Sequence, residues 1–303
     1  MSIAGKPYRN DCTASRIRFA DGIKRNVIDG HSHIGEIEAW PFYGIDYPVK
    51  PIVYDFPRTK DFLKFMDGYG IERSLVMSNY GIPKPEQPFS LNPIVMEAAT
   101  STDRIRGLLW VSFLPRDREN TLEALKHCGE SGIVGLKTTF LLGGNPNPAE
   151  WDEETKEIAD MCFDAAEKHD YVFHFHTSAG GNSDINNFIP MVEEYGKRCK
   201  IHLVHFGGGV SGHIKLVPKF LQWVKDGYKV YTDTSWAIGF GARWLLVEIE
   251  KQGIGGDRVI FGSDEPWSDF MSEYWKIEGA PVSEELKRMV LVDNFAKLHE
   301  KHW

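Results

Sequence analysis

Two histidines one residue apart close a short apolar run in "NVIDGHSHIGE", residues 26–36. In an extended strand alternate side chains share a face, so His31 and His33 point the same way, with Ser32 on the opposite side. Two neutral imidazoles on one face can grip a divalent cation. For a lone His-x-His the plainer reading is a pair of hydrogen-bonded structural histidines. Further chemistry-bearing residues stand at the ends of later apolar runs: Lys137 after "GIVGL", His176 in "VFHFH", His205 in "KIHLVH" and Asp264 in "RVIFGSDEPW". Three histidines and a carboxylate around an open position suit Zn²⁺ and are compatible with Fe²⁺, Mn²⁺ or Co²⁺. Water bound to such an ion loses several pKa units and becomes a nucleophile near neutral pH.

These residues matter together only if the chain brings the run ends to one place. Eight runs rich in Val, Ile, Leu and Phe recur at intervals of about thirty residues, as buried parallel strands do in repeated β-α units. They are Val27 to His31, Ser74 to Ser78, Arg106 to Val111, Ile133 to Lys137, Val172 to His176, Ile201 to His205, Val230 to Asp233 and Val259 to Gly262. Between them lie amphipathic segments with helix signals, such as "TKDFLKFMDGYG" closing on Gly70 and "DEETKEIADMCFDAAEKHD" with acids leading and His169 near its end. The alternation predicts an α/β fold, a single (β/α)8 TIM-like barrel over residues 1–303 with 1–25 as an N-terminal extension; a doubly wound sheet is the structural alternative. Barrels carry their chemistry at the C-terminal ends of the strands, where these residues stand.

Composition narrows the partners. A formal net charge of −8, with no basic run, argues against nucleic acid. Cys12, Cys128, Cys162 and Cys199 are scattered without a Cys-x-x-Cys pair, which fits a reducing cytoplasm. The N-terminus lacks an apolar signal region, and no apolar stretch approaches the roughly 20 residues that span a bilayer, so neither secretion nor a membrane partner is expected.

The stretches "VIDGHSHIG", "VFHFHTSAG", "KIHLVHFGGG", "RVIFGSDEPW" and "VDNFAKLH" together resemble the amidohydrolase superfamily, in particular the amidohydrolase-2 branch that includes the aminocarboxymuconate-semialdehyde decarboxylase-like enzymes. The resemblance implies a TIM-like barrel and one divalent metal ion, Zn²⁺ by preference, held by His31, His33, His176 and Asp264. It makes His205, with Asp264, the acid/base group, and it makes a homodimer plausible. In other branches a carboxylated lysine after the fourth strand bridges two metals, and Lys137 stands in a compatible place. Uncarboxylated, Lys137 would offer its ammonium to a substrate carboxylate.

Other residues complete the expectations. Trp40, Phe42, Tyr43, Tyr47, Tyr54 and Phe56 follow the first strand and could form a lid over a flat apolar group, or merely bury one another. Trp40, Trp236, Arg243 and Trp267 are candidate contacts for a small-molecule substrate, aromatic or carboxylate-bearing; Arg243 at a helix start is otherwise a surface residue. His174 is read as a core residue, His202 as facing the helices, and His127, His169, His213, His299 and His302 as surface or capping residues. The first functional reading is a metal-dependent hydrolase in which metal-activated water attacks a carbonyl-type bond. The alternative is a non-oxidative decarboxylase on the same site, and the third is a barrel that binds without catalysis.

Overall fold

The computed structural model describes residue 23 and residues 26–37, 40–41, 48–49, 54–79, 87–238 and 240–303. Its eight-stranded sheet runs in chain order: β1 (Val27–Ile34), β2 (Ile71–Ser78), β3 (Ile105–Trp110), β4 (Ile133–Thr138), β5 (Val172–His176), β6 (Lys200–Val204), β7 (Val230–Asp233) and β8 (Val259–Ile260). Neighbouring strands pair in parallel. The ring closes between the last strand and the first: Gly30 N–H donates to the Phe261 carbonyl (2.9 Å), Asp264 N–H to that of His31 (2.7 Å) and His33 N–H to that of Glu265 (2.7 Å). A doubly wound sheet would leave both edges open; these bonds make it a (β/α)8 barrel. The N-terminal extension lies almost wholly outside the described residues.

Helices fill the crossovers where the sequence signals place them. Thr59–Tyr69 stops at Gly70, whose φ of 66° is the left-handed cap that glycine adopts without strain. Glu153–Lys168 starts at Asp152, whose carboxylate accepts from Thr155 N–H (2.7 Å), and ends at His169. Their apolar faces meet the outward side chains of the strands, with the Phe163 ring 5.3 Å from that of Phe173 between centroids. Among the described residues, no helix is long and apolar enough to cross a membrane.

Inside the barrel the end away from the site is apolar. Ile28, Leu75, Leu108, Val134 and Ile260 meet Phe295 from the helix Asn294–Leu298. Asn294 fixes that helix by donating its Nδ2–H to the carbonyls of Gly256 (2.6 Å) and Val259 (2.7 Å). The "VDNFAKLH" stretch is therefore a floor plug. Two strand ends differ from expectation: β6 stops at Val204 and leaves His205 in a turn, and β8 has only two residues because Phe261 N–H turns away to the Val290 carbonyl (2.9 Å).

The seam has a side-chain strap. The buried Asp29 carboxylate accepts from Ser263 N–H (2.9 Å), Ser263 Oγ–H (2.5 Å), Ser32 Oγ–H (2.6 Å) and His31 N–H (3.2 Å). Asp29→Ala should leave these buried donors without an acceptor and cost about 3–5 kcal/mol, since each unsatisfied group costs about 1–3 kcal/mol. Chemical denaturation measures this, and stability within about 1 kcal/mol of wild type would mean that the strap holds nothing.

Candidate active site

Simple alternation along β1 would not by itself place the histidines. Ile28 faces the barrel floor, and His33, five positions on, would face outward in a regular strand. The pairing shows why it does not: Asp29 pairs with Ser74 and Ser32 with Val76, so β1 carries one residue more than β2 between these pairs. This bulge turns His33 to the lumen beside Met77. The same device recurs in β4. Gly107 and Leu108 of β3 pair with Ile133 and Gly135, making Val134 the extra residue and bringing Lys137 to the lumen opposite Trp110. Gly135 permits it, because a Cβ there would lie 2.4 Å from the Val172 carbonyl oxygen.

The protons on the imidazoles follow from their partners. His31 Nδ1 lies 3.0 Å from Asp233 Oδ2, and His33 Nδ1 lies 3.0 Å from the Ser78 carbonyl oxygen. Both partners are acceptors, so in the neutral imidazole each Nδ1 carries the hydrogen and each Nε2 is bare. Both bare nitrogens then face Asp264 Oδ1, at 3.2 Å from His31 and 3.1 Å from His33. His31 Nε2 makes no hydrogen bond although it is buried. Three lone pairs converging without a proton repel one another unless a cation sits among them. This donor set fits a divalent metal, with Asp233 and the Ser78 carbonyl as the outer hydrogen bonds that orient its ligands.

Electrostatics keep the ligands in their binding forms. Burial, then the nearby Lys137, pushes His31 down to about 3, although Asp233 pulls upward. Burial, then His205, holds His176 well below the usual histidine range. For Asp264 burial pushes upward, but His205, His31 and His33 outweigh it and keep the carboxylate ionised. Neutral imidazoles and an ionised carboxylate are the states that bind a metal.

Above this cluster opens a cavity of about 280 Å³ lined by His33, His176, His205, Asp264, Lys137 and three indoles, those of Trp110, Trp236 and Trp267. Trp110 donates its Nε1–H to the Ser78 carbonyl (3.0 Å) and Trp267 to Asn79 Oδ1 (3.1 Å), which fixes both rings as walls. The Lys137 ammonium is buried with no hydrogen-bond partner among the described residues, 5.9 Å from the Trp110 ring centroid. Burial brings its pKa down to about 8, against the pull of Asp264 and Asp233. The rim itself is strained: His205, Phe206, Trp236 and Asp264 have φ of 64°, 51°, 54° and 56°, and Asp170 is the only other described non-glycine residue with positive φ.

A family model described as amidohydrolase (Amidohydro_2) matches residues 58–299. The chain belongs to the amidohydrolase family. The matched span begins after the His-x-His strand, which β1 and the ligand geometry add to it. No curated protein matches in sequence. Solved structures share the fold at low identity. A 2,6-dihydroxybenzoate decarboxylase complexed with 2,6-dihydroxybenzoate is 16% identical, with a TM-score of 0.64 over 92% of this chain and 100% of its own. The 5-carboxyvanillate decarboxylase of Sphingomonas paucimobilis is 16% identical, with a TM-score of 0.64 over 91% and 99%. A dihydroxybenzoic acid decarboxylase from Polaromonas sp. JS666, with bound manganese and 2-nitroresorcinol, is 15% identical, with a TM-score of 0.61 over 92% and 98%.

In this amidohydrolase, the residues singled out from the sequence do not all come together. His31, His33 and Asp264 converge, whereas His176, half-buried, stands on the cavity wall with its ring 4.7 Å from that of His205 and belongs to neither group of converging ligand atoms among the described residues. The second such group, His31, His205 and Asp233, is a hydrogen-bonded set, because Asp233 already receives His31 Nδ1–H. Lys137, Trp236 and Trp267 line the cavity; Arg243 is exposed on the helix Gly241–Gln252 and does not line it. The side chain of Trp40, with Phe42, Tyr43 and Tyr47, lies outside the described residues. Phe56 packs on Phe62 and Phe65 in the core, and Tyr54 donates to Glu265, so these two serve as packing and not as a lid.

Three histidines need correction. His202 does not face the helices: Ile201 and Leu203 do, and alternation turns His202 into the lumen, 4.3 Å from the His174 ring and with Nε2 3.0 Å from Asp233 Oδ2. His213 is buried, donating Nδ1–H to the Phe206 carbonyl (2.6 Å) and accepting from Ile238 N–H (3.0 Å). His299 is buried against Phe295, at 4.6 Å between rings. Asp233 and Trp110 were missed as functional positions. Asp233 ends the seventh run at the same rim as the others, which was the available signal.

Removing metal by chelation and restoring Zn²⁺ or Mn²⁺ should raise the stability of the protein by about 3 kcal/mol at a hundredfold excess over Kd. His33→Ala should lose both the metal content and that gain. Thermal unfolding with and without metal checks it; an unchanged Tm in wild type would take the cation out of this site.

Proposed function

We propose that this amidohydrolase is a metal-dependent, non-oxidative decarboxylase acting on a small aromatic acid. The observation that carries the reading is the buried Lys137 ammonium, lacking a hydrogen-bond partner among the described residues, in an indole-walled cavity beside the cation site. A buried cation without a partner is costly, and a substrate carboxylate is the group that would relieve it. Flat walls suit an aromatic ring, and a cavity near 280 Å³ suits a single substituted ring. The three decarboxylases that share the fold support the same choice.

In this reading His31, His33 and Asp264, with His176 as the proposed fourth ligand, hold one divalent ion. Their nitrogen and carboxylate donors suit Zn²⁺, and equally the Mn²⁺ that the Polaromonas enzyme contains. When bound, the ion supplies positive charge that stabilises a developing anionic oxygen of the substrate. Lys137 holds the carboxylate, and the Trp110, Trp236 and Trp267 rings hold the plane of the substrate and exclude water. His205 takes up a proton at its cavity-facing nitrogen and delivers it to the carbon that bears the carboxylate. The carbon–carbon bond then breaks, its electron pair returns to the ring, and CO₂ leaves. Hydrolysis, the first expectation from the sequence, would use the Lys137 charge only on a substrate that carries a carboxylate besides its scissile bond.

Release of CO₂ from carboxyl-labelled hydroxybenzoates by the metal-loaded enzyme is the test. Consumption of water by an ester, lactone or amide, with no CO₂ from any acid, would restore the hydrolase. His205→Asn should keep its metal and lose a factor of about 10² to 10⁴ in kcat. Lys137→Met should raise KM for the acid about 10- to 100-fold, as the loss of a charged hydrogen bond requires. Two metals per wild-type chain, falling in that variant, would instead make Lys137 a bridging carboxylated ligand.

A further inference from the structure

We propose that Asp233 and Ser235 are positioning residues that hold His205 in its Nδ1–H form, so that the nitrogen facing the substrate is a bare Nε2. The inference rests on the reading of His205 as the proton-handling group, and it turns on a hydrogen count. Ser235 Oγ lies 2.5 Å from Asp233 Oδ1 and 2.9 Å from His205 Nδ1. A serine hydroxyl has one hydrogen to give. Asp233 acts as an acceptor at both oxygens: Oδ1 receives the backbone N–H groups of Ser235 and His205, and Oδ2 receives His31 Nδ1–H. The Ser235 hydrogen therefore goes to Asp233, and the hydroxyl oxygen can only accept at His205. A neutral His205 must then carry its proton on Nδ1.

The surroundings leave this arrangement little freedom. Asp233 Oδ1 also accepts from Ser235 N–H (3.0 Å) and His205 N–H (3.2 Å), so the carboxylate grips the backbone of both residues that it orients. Oδ2 accepts from His31 Nδ1–H (3.0 Å), and His202 Nε2 lies 3.0 Å from it. Asp233, Ser235 and His205 are all buried, and no other hydrogen-bond partner of His205 Nδ1 occurs among the described residues. One carboxylate thus sets the proton positions of a metal ligand through Oδ2 and of the acid/base histidine through Ser235. His205 consequently meets the substrate as a base and must load a proton on Nε2 before it can donate one to carbon.

The test reads the tautomer directly. In the Zn²⁺-loaded enzyme labelled with ¹⁵N-histidine, the His205 signals, assigned by their loss in His205→Asn, should report Nδ1–H and bare Nε2. Ser235→Ala and the near-isosteric Ser235→Cys should lose that preference while keeping their metal. Their kcat should fall about 10- to 100-fold with KM unchanged, the scale on which outer-shell hydrogen bonds act. Ser235→Thr, which keeps the hydroxyl, should restore both. Persistence of the Nδ1–H form in Ala and Cys variants, or kcat within about twofold of wild type in both, would overturn the proposal. The tautomer is read without substrate, so a failure to release CO₂ counts against the decarboxylase reading alone.

Discussion

The barrel is closed by the residues that carry its chemistry. The seam between the last strand and the first is made by the backbones of Gly30, His31 and His33 on one side and of Phe261, Asp264 and Glu265 on the other. Because His31 receives Asp264 N–H, and His33 donates to the next carbonyl, the three proposed ligands are fixed relative to one another by main-chain bonds before any ion arrives. Their side chains therefore converge as acceptors whether or not this suits them electrostatically. Folding imposes the repulsion, and cation binding relieves it. Asp29 beneath the seam supplies the polar strap that lets a chain of buried hydroxyls and amides run so close to the lumen.

Charge is distributed around that seam with little redundancy. Burial pushes both the histidines and Lys137 toward their neutral forms, and Asp233 and Asp264 are the carboxylates that oppose it. His31, His176 and His205 respond by staying neutral; the lysine, brought only to about 8, stays largely cationic at neutral pH. The result is a pocket with one buried cation that has no hydrogen-bond partner among the described residues, beside a set of donors that fits a second. That charge pattern is the ground for proposing an anionic, flat substrate.

Much of this was legible in the sequence because strand ends are legible. The eight apolar runs, the rim positions of His31, His33, His176, Lys137 and Asp264, and the helices capped by Asp152 and Gly70 all follow from periodicity and turn chemistry. Two kinds of information were not. The extra residues in β1 and β4 leave no mark in composition, yet they decide which way His33 and Lys137 face. Burial from tertiary packing was equally hidden: His202 sits one alternation step from its expected face, and His213 and His299 are enclosed by neighbours distant in sequence. Asp233 is an instructive omission, since a carboxylate at a rim invites reading as a ligand or as nothing, whereas its work here is to orient others.

The plug at the far end of the barrel has a consequence for traffic. With Phe295 seated among Ile28, Leu75, Leu108, Val134 and Ile260, the catalytic chamber is a cul-de-sac whose door is framed by Trp236. Among the described residues the floor offers no second way out. If the proposed decarboxylation is the reaction, a gas and an aromatic product would leave past Trp236, the smaller ahead of the larger. Under the proposed reaction the next substrate would dock only after both had gone, and product release would share with chemistry in setting turnover.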